Sequence, residues 1–343
     1  MPATSTHYIR SLQSMRFIFI FLILLSHFSF AGLGPFDFGG DSGVCFFFIL
    51  SGFVLSLGDN KKPGRSLPFF TKRLKRVYPA HLLALVMAAV CIPAAFDTPE
   101  KIISSLSLTQ SWWPGREIYF GGNGPAWFLS NTVAFYLVFP WLKHILFKAR
   151  WLVIITGTAI TLTVYFTVIA PLVPEDKVNW LLYVFPPSRL IDFCQGIILA
   201  RLYMLAAARE YSLSAQTSTI IEYCAICLII ASSWIYPILP ERYATTALFW
   251  IPCAALIFCF ALTDRHPGLP GRILQHRAML WLGGISFEFF LVHVSVIQLF
   301  KRVTWHYSIG LPYPAALAAV FLLSIGATVA VRHIIKYIQT KKH

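Results

Sequence analysis

Charge is what this chain has least of. Asp, Glu, Lys and Arg make up 12% of its 343 residues and hydrophobic residues 57%. An ordinary globular chain is about a quarter charged, so this composition excludes a soluble globular protein. Acidic residues are scarcer still, 14 against 28 Lys plus Arg, which leaves a net charge of +14. Low-complexity segments and internal repeats are absent. No loop approaches the size of a soluble domain, so any chemistry must rest on the apolar part and its short connections. The seven cysteines (45, 91, 194, 224, 227, 253 and 259) lie in or near apolar runs and imply no disulfide framework. Cys224 and Cys227 form a C-x-x-C inside one such run, without partners for a metal, and read as small buried hydrophobes. The histidines are scattered without ligand spacing, so no metal is expected.

Apolar runs are what the chain has instead. They recur at 13–32, 43–58, 78–96, 126–146, 151–171, 188–206, 219–237, 243–263, 279–299 and 312–337, mostly near the roughly 20 residues that cross a bilayer as helix. The pattern predicts an all-α fold, a polytopic helical bundle of about ten transmembrane helices forming one membrane domain over 1–343. The stretch 102–113 adds a candidate re-entrant segment. Arg10 ahead of the first run imitates a signal peptide, but the run is long for one and no small-x-small site follows, so a retained helix is expected.

The basic residues are not spread evenly. With loops assigned alternately from a cytoplasmic N-terminus, twenty-one of the 28 cations fall inside and six outside, with Arg189 at a helix entrance. This is the positive-inside asymmetry, and it predicts both termini in the cytoplasm. The basicity is thus mostly topological. It implies a lipid bilayer as surroundings and no nucleic acid.

Charged groups at membrane depth cost roughly 2.5–3.5 kcal/mol on insertion scales, so each needs a reason. In "MRFIFIFLILLSHF" Arg16 and His27 are separated by about three turns, or ~16 Å, and share one helix face. They are either a snorkelling cation with a packing imidazole, or the two ends of a functional track. In "FFTKRLKRVYPAH" Lys72, Arg73, Lys75 and Arg76 cluster before the third run. Arg73 and Arg76 project to one side of a helix and suit phosphate oxygens. The plain alternative is ordinary loop basicity or a grip on anionic lipid headgroups.

In "GGDSGVCFFFILSGF", Gly39, Gly40 and Gly43 make a tight re-entry. Asp41 is a candidate to pair with His27 and fix its tautomer, and Ser51-Gly52 permits close helix contact. Further on, Arg189 and Asp192 stand i,i+3 and can neutralise each other. Glu288 and His293 face directions about 140° apart. His293 is either a second site residue or an interhelical hydrogen bonder. The outer connection "SLTQSWWPGREIYFGGNGPAW" carries Trp112, Trp113 and Trp127 at a depth that suits headgroups, and can line or cover an outward mouth.

Taken in order, "YIRSLQSMRFIFIFLILLSHF", "GVCFFFILSGFVLS", "KRLKRVYP", "PAWFLSNTVAFYLVFP", "PPSRLIDFCQGIILARL" and "LGGISFEFFLVH" resemble the acyltransferase-3 family of integral membrane acyltransferases. Bacterial members O-acylate exported or cell-envelope polysaccharides. The resemblance implies acyl-CoA, most simply acetyl-CoA, as cytoplasmic donor. It implies CoA phosphates bound by Arg16, Arg73 and Arg76 with Lys72 beside them, and His27 as the catalytic residue. The acceptor would be a glycan or lipid-linked oligosaccharide at the outer side of the inner (cytoplasmic) membrane. Ser51, Trp127 and Arg189 are the donors considered for a developing oxyanion, and together with His293 they are candidate substrate-binding residues.

The chain departs from the family pattern at Thr132, where an acid is common, at Cys45 in place of Asp, and at Phe287 and Phe290 in place of Tyr. Larger relatives carry an appended SGNH-type domain. None is expected here, so transfer is either direct or handed to a separate periplasmic or polysaccharide-synthesis partner. Two other function classes compete. A transporter or flippase would be expected to show repeated halves, and an idle scaffold would tolerate loss of His27.

Overall fold

The computed structural model describes residues 8–35, 39–58, 66–209 and 213–341. Lys61, Lys62, Arg65 and Lys342, counted above among the cations, lie outside the described residues. Ten long helices carry the fold: α1 (Arg10–Phe30), α2 (Gly40–Gly58), α3 (Ser66–Cys91), α4 (Trp127–Lys148), α5 (Trp151–Leu172), α6 (Pro186–Ala207), α7 (Ala215–Ile235), α8 (Ala247–Thr263), α9 (Arg277–His306) and α10 (Tyr313–Thr340). All but α4 are long and apolar enough to cross a membrane by length and composition, so the protein is a polytopic helical membrane protein. Helix α4 is as long as its neighbours, but Asn131, Thr132, Lys143 and His144 lower its apolar content.

One helix differs from its expected run, and one connecting stretch takes a form the sequence left open. Helix α3 begins at Ser66 rather than near 78, because the basic cluster is itself helical, and Pro79 sits inside it. The stretch 102–113 forms no membrane-length helix. It folds as a short helix Pro99–Ser107, a left-handed Leu108 at φ 56°, and a turn Gln110–Trp112. Its residues Ser104, Ser105, Leu108, Gln110 and Ser111 are nonetheless buried.

The bundle is drawn together where side chains are missing. A Cβ on Gly52 would lie 2.1 Å from the Phe193 carbonyl oxygen, and one on Gly196 2.0 Å from that of Ile49. Helices α2 and α6 therefore cross backbone to backbone, the close contact that small residues allow in membranes. A Cβ on Gly283 would lie 2.0 Å from the Gln13 carbonyl oxygen, so α1 and α9 meet just as closely. Phe17, Ile20, Leu24 and Phe28 of α1 then bury against Phe289, Val292 and Val296 of α9 in one apolar cluster. The start of α1 is held from outside the helix. Asp264 accepts from the Arg10 and Ser11 backbone N–H groups, at 3.2 and 3.0 Å, and from the Ser11 hydroxyl. That occupies two of the N-terminal donors a helix leaves unpaired. Helix α1 is thereby tied at its start to the end of α8 and held close to α9 at Gly283.

Candidate active site

Two imidazoles meet across the α1–α9 contact. His27 Nδ1 lies 2.9 Å from His293 Nε2. His293 is fully buried, and its Nδ1 is 2.7 Å from the carbonyl oxygen of Phe290, one turn back on α9. A carbonyl only accepts, so His293 Nδ1 carries the proton of the neutral ring. Its Nε2 is then a lone pair and accepts from His27 Nδ1–H. This chain of constraints leaves Nε2 of His27 without a proton, as a base or nucleophile. The ring partner of His27 is therefore His293. The sequence had pointed to Asp41, and the structure corrects that pairing. The Asp41 carboxylate accepts from Tyr236 O–H at 2.5 Å and is also hydrogen-bonded by Tyr183. Only the three-dimensional approach of α1 and α9 could show the histidine pair, because their sequence separation is 266 positions.

A cavity of about 770 Å³ runs beside α1. Its lining residues on that helix include Leu12, Arg16, Ile20 and Ile23, a stripe at three- and four-residue spacing whose next member is His27. At the end near the start of α1 the lining is cationic, with Arg16, Arg73, Arg76 and Arg332, joined by Gln13, Tyr136 and Glu288. Toward the histidines it turns apolar, with Phe47, Phe128, Leu129 and Phe290, and with Ser51 and Thr132 as polar exceptions. Arg73 lies over the Phe69 ring at 5.3 Å, which holds its guanidinium along α3. Arg16 is half-buried, with Gln13 Oε1 3.4 Å from one guanidinium nitrogen.

A model of the acyltransferase domain family matches residues 9–333. The chain belongs to that family. Over 283 residues it is 28% identical to acyltransferase MdmB of Streptomyces mycarofaciens, covering 77% of this chain and 70% of that protein. Over 328 residues it is 25% identical to the peptidoglycan O-acetyltransferase OatA of Listeria monocytogenes, covering 86% of this chain and 50% of the other. The O-acetyltransferase OatA of Staphylococcus aureus matches at 22% over 320 residues, covering 85% and 51%. The chain spans about half the length of these two O-acetyltransferases. No solved structure matches. This acyltransferase is thus a multi-pass membrane enzyme of acyl transfer.

The remaining sequence candidates divide between the acyltransferase cavity and a second polar cluster. Arg16, Arg73, Arg76 and Ser51 line the cavity. Lys72 does not. It sits on another flank of α3, exposed beside Leu67, Pro68, Thr71 and Lys75, because one residue of helix turns a side chain by about 100°. Arg189 is fully buried 3.4 Å from Asp192, with its guanidinium over Phe48 at 5.2 Å and Tyr183 at 5.4 Å. Asp192 also accepts from Trp250 Nε1 and from Cys45, each at 3.1 Å. The Cys45 thiol on α2 thus donates to an acid on α6. Trp127 packs on Tyr183 at 5.1 Å and on Phe48 at 6.3 Å, between this cluster and the cavity wall at Phe128. Thr132 returns its hydroxyl to the Phe128 carbonyl at 2.8 Å.

Sequence reasoning missed Glu288 and Arg332 as cavity residues. It also missed Asn123, whose amide donates to the Leu291 carbonyl at 2.8 Å, two residues from His293. For Glu288 and Arg332 the signal was the cost of a charged group in an apolar run, which marks a residue as needing a partner without naming that partner; Asn123, in the outer connection, carried no such signal.

Proposed function

We propose that this acyltransferase is an O-acetyltransferase of the cytoplasmic membrane. In this reading it takes its acyl group from acetyl-CoA on the cytoplasmic side and delivers it to a hydroxyl of an exported or lipid-linked cell-envelope glycan. One observation carries the reading: a single cavity has arginines at one end and ends one helical turn short of a tautomer-fixed histidine pair. The names of the two O-acetyltransferase relatives support the acetyl group, and that of the Listeria protein supports a glycan acceptor.

The residues present fit such a donor. Guanidinium forks match phosphate oxygens in a bidentate way. The cavity falls within the roughly 300–1,000 Å³ of small-molecule sites. The apolar stretch from Ile20 to Phe290 suits a pantetheine arm on its way inward, and the ~16 Å between Arg16 and His27 is the length that arm must span. Long separation along one helix face is thus the requirement of a donor held by its far end.

In the reaction the acceptor hydroxyl attacks the thioester carbonyl while Nε2 of His27 removes its proton. His293, through Nε2, keeps the His27 Nδ1 proton in place and steadies the imidazolium that forms. The imidazolium then returns its proton to the departing sulfur as the carbon–sulfur bond breaks, giving the ester and a free thiol. Each proton is accounted for by one nitrogen. The test is transfer of labelled acetyl from acetyl-CoA into envelope glycan, in membranes with wild type or His27→Ala at matched expression. Removing the base should lower transfer by ~10²–10⁴-fold. Equal labelling by the variant would overturn the role of His27, and no labelling by wild type would overturn the donor and acceptor.

A further inference from the structure

The cavity holds one acid among its arginines. Arg16 comes from α1, Arg73 and Arg76 from α3, and Arg332 from α10. Glu288 of α9 is the single carboxylate among the described lining residues. Glu288 Oε1 is 3.7 Å from Arg332 Nε, and another nitrogen of Arg332 donates to the Gly284 carbonyl at 3.1 Å. The second carboxylate oxygen of Glu288 is buried and has no hydrogen-bond partner among the described residues. Glu288 therefore faces the volume where the arginines would gather phosphates, and it ties down one of them.

A carboxylate in a phosphate-binding cavity weakens binding. That has a use only if binding can be too tight. The donor acetyl-CoA and the product CoA present the same phosphates, so phosphate contacts bind both alike. Such uniform binding does not speed the chemical step, and it delays release of product, which often limits turnover. We propose that Glu288 is a charge brake on the donor site. It holds Arg332 in reserve and opposes the phosphates, so that CoA leaves after each transfer. The proposal rests on the acyl-CoA reading above and adds to it the residue that sets affinity.

The experiment is calorimetric titration of CoA into the purified full-length protein in neutral detergent, with wild type, Glu288→Gln, Glu288→Asp and Arg332→Gln. Removing the opposing charge should tighten CoA binding about tenfold, the scale of one charge acting at intermediate dielectric. Glu288→Asp keeps the opposing charge and should bind CoA more weakly than Glu288→Gln does, and Arg332→Gln should bind more weakly than wild type. In acetyl transfer, Glu288→Gln should keep its first turnover and lose steady-state rate, a split that a merely structural role does not produce. The brake is overturned if Glu288→Gln binds CoA as wild type does or more weakly. A wild type that binds no CoA overturns the donor reading, and the brake falls with it. Wild-type binding that Arg73→Gln weakens, with no tightening in Glu288→Gln, overturns the brake alone. Titration with phosphatidylglycerol in the same detergent distinguishes a lipid phosphate. If that lipid displaces CoA no better from wild type than from Arg73→Gln, the site belongs to CoA.

Discussion

His293 donates one proton to a backbone carbonyl and accepts another from His27, so its ring transmits a constraint from α9 to the imidazole that the proposed reaction uses as base. A group that acts this way positions the base without touching substrate. Its loss should therefore leave donor binding intact and lower the rate of the chemical step. Replacing it with alanine frees the His27 ring to rotate and to carry its proton on either nitrogen, and kcat should fall by ~10²-fold with donor KM unchanged. Glutamine supplies an acceptor oxygen at similar reach, so His293→Gln should recover part of that loss. Steady-state kinetics of the two variants decide the point, and an equal loss in kcat and donor affinity would reveal plain misfolding. The buried pair of Arg189 and Asp192 follows different rules. Its charges are matched within one helix turn and its hydrogen bonds run to Trp250 and Cys45. It ties α2, α6 and α8 together, apart from the cavity.

At the level of helices, the position of the histidines depends on how closely α1 and α9 approach. Gly283 and Gly284 are neighbours in sequence but not equivalent. A Cβ at Gly283 would lie 2.0 Å from the Gln13 carbonyl oxygen, whereas one at Gly284 would meet nothing nearer than Gln13 Nε2 at 3.9 Å. Gly283→Ala should force the helices apart at a cost of about 1–3 kcal/mol, typical of overpacking, and lower both the melting temperature and transfer. Gly284→Ala should change little. Thermal unfolding in detergent with parallel assays compares them directly.

The same contrast shows what could be read in advance. Nine of the ten expected spans followed from apolar length, α4 being the one whose polar residues keep it from qualifying, and the placing of Arg16 and His27 on one face followed from helical period. Both are local properties. The pairing of His27 with His293 depends on which face of a distant helix arrives, and no periodicity records that. Lys72 was grouped with Arg73 and Arg76 because clustering in sequence conceals the turn between adjacent residues. The start of α3 at Ser66 was missed for the related reason that a basic cluster reads as loop although it is a helix end.

Across the whole molecule, the donor reading requires that the cationic end of the cavity open to the cytoplasm. Tyr8 and Gln339, near the two ends of the chain, line that same cavity as Arg16 and Arg332. The side on which the termini lie is therefore the side from which a donor would enter. The shared lining puts the described ends of the chain on one side of the bundle, and the lysine and arginine bias of the sequence predicts that this side is the cytoplasm. A fluorescent protein fused after residue 343 should therefore fold and fluoresce, and alkaline phosphatase at the same position should stay inactive. Phosphatase inserted at 309–311, between α9 and α10, should be active. The reverse pattern would turn the arginines outward, away from any cytosolic acyl-CoA. The histidine pair would keep its geometry, but the donor would have to come from the other side of the membrane.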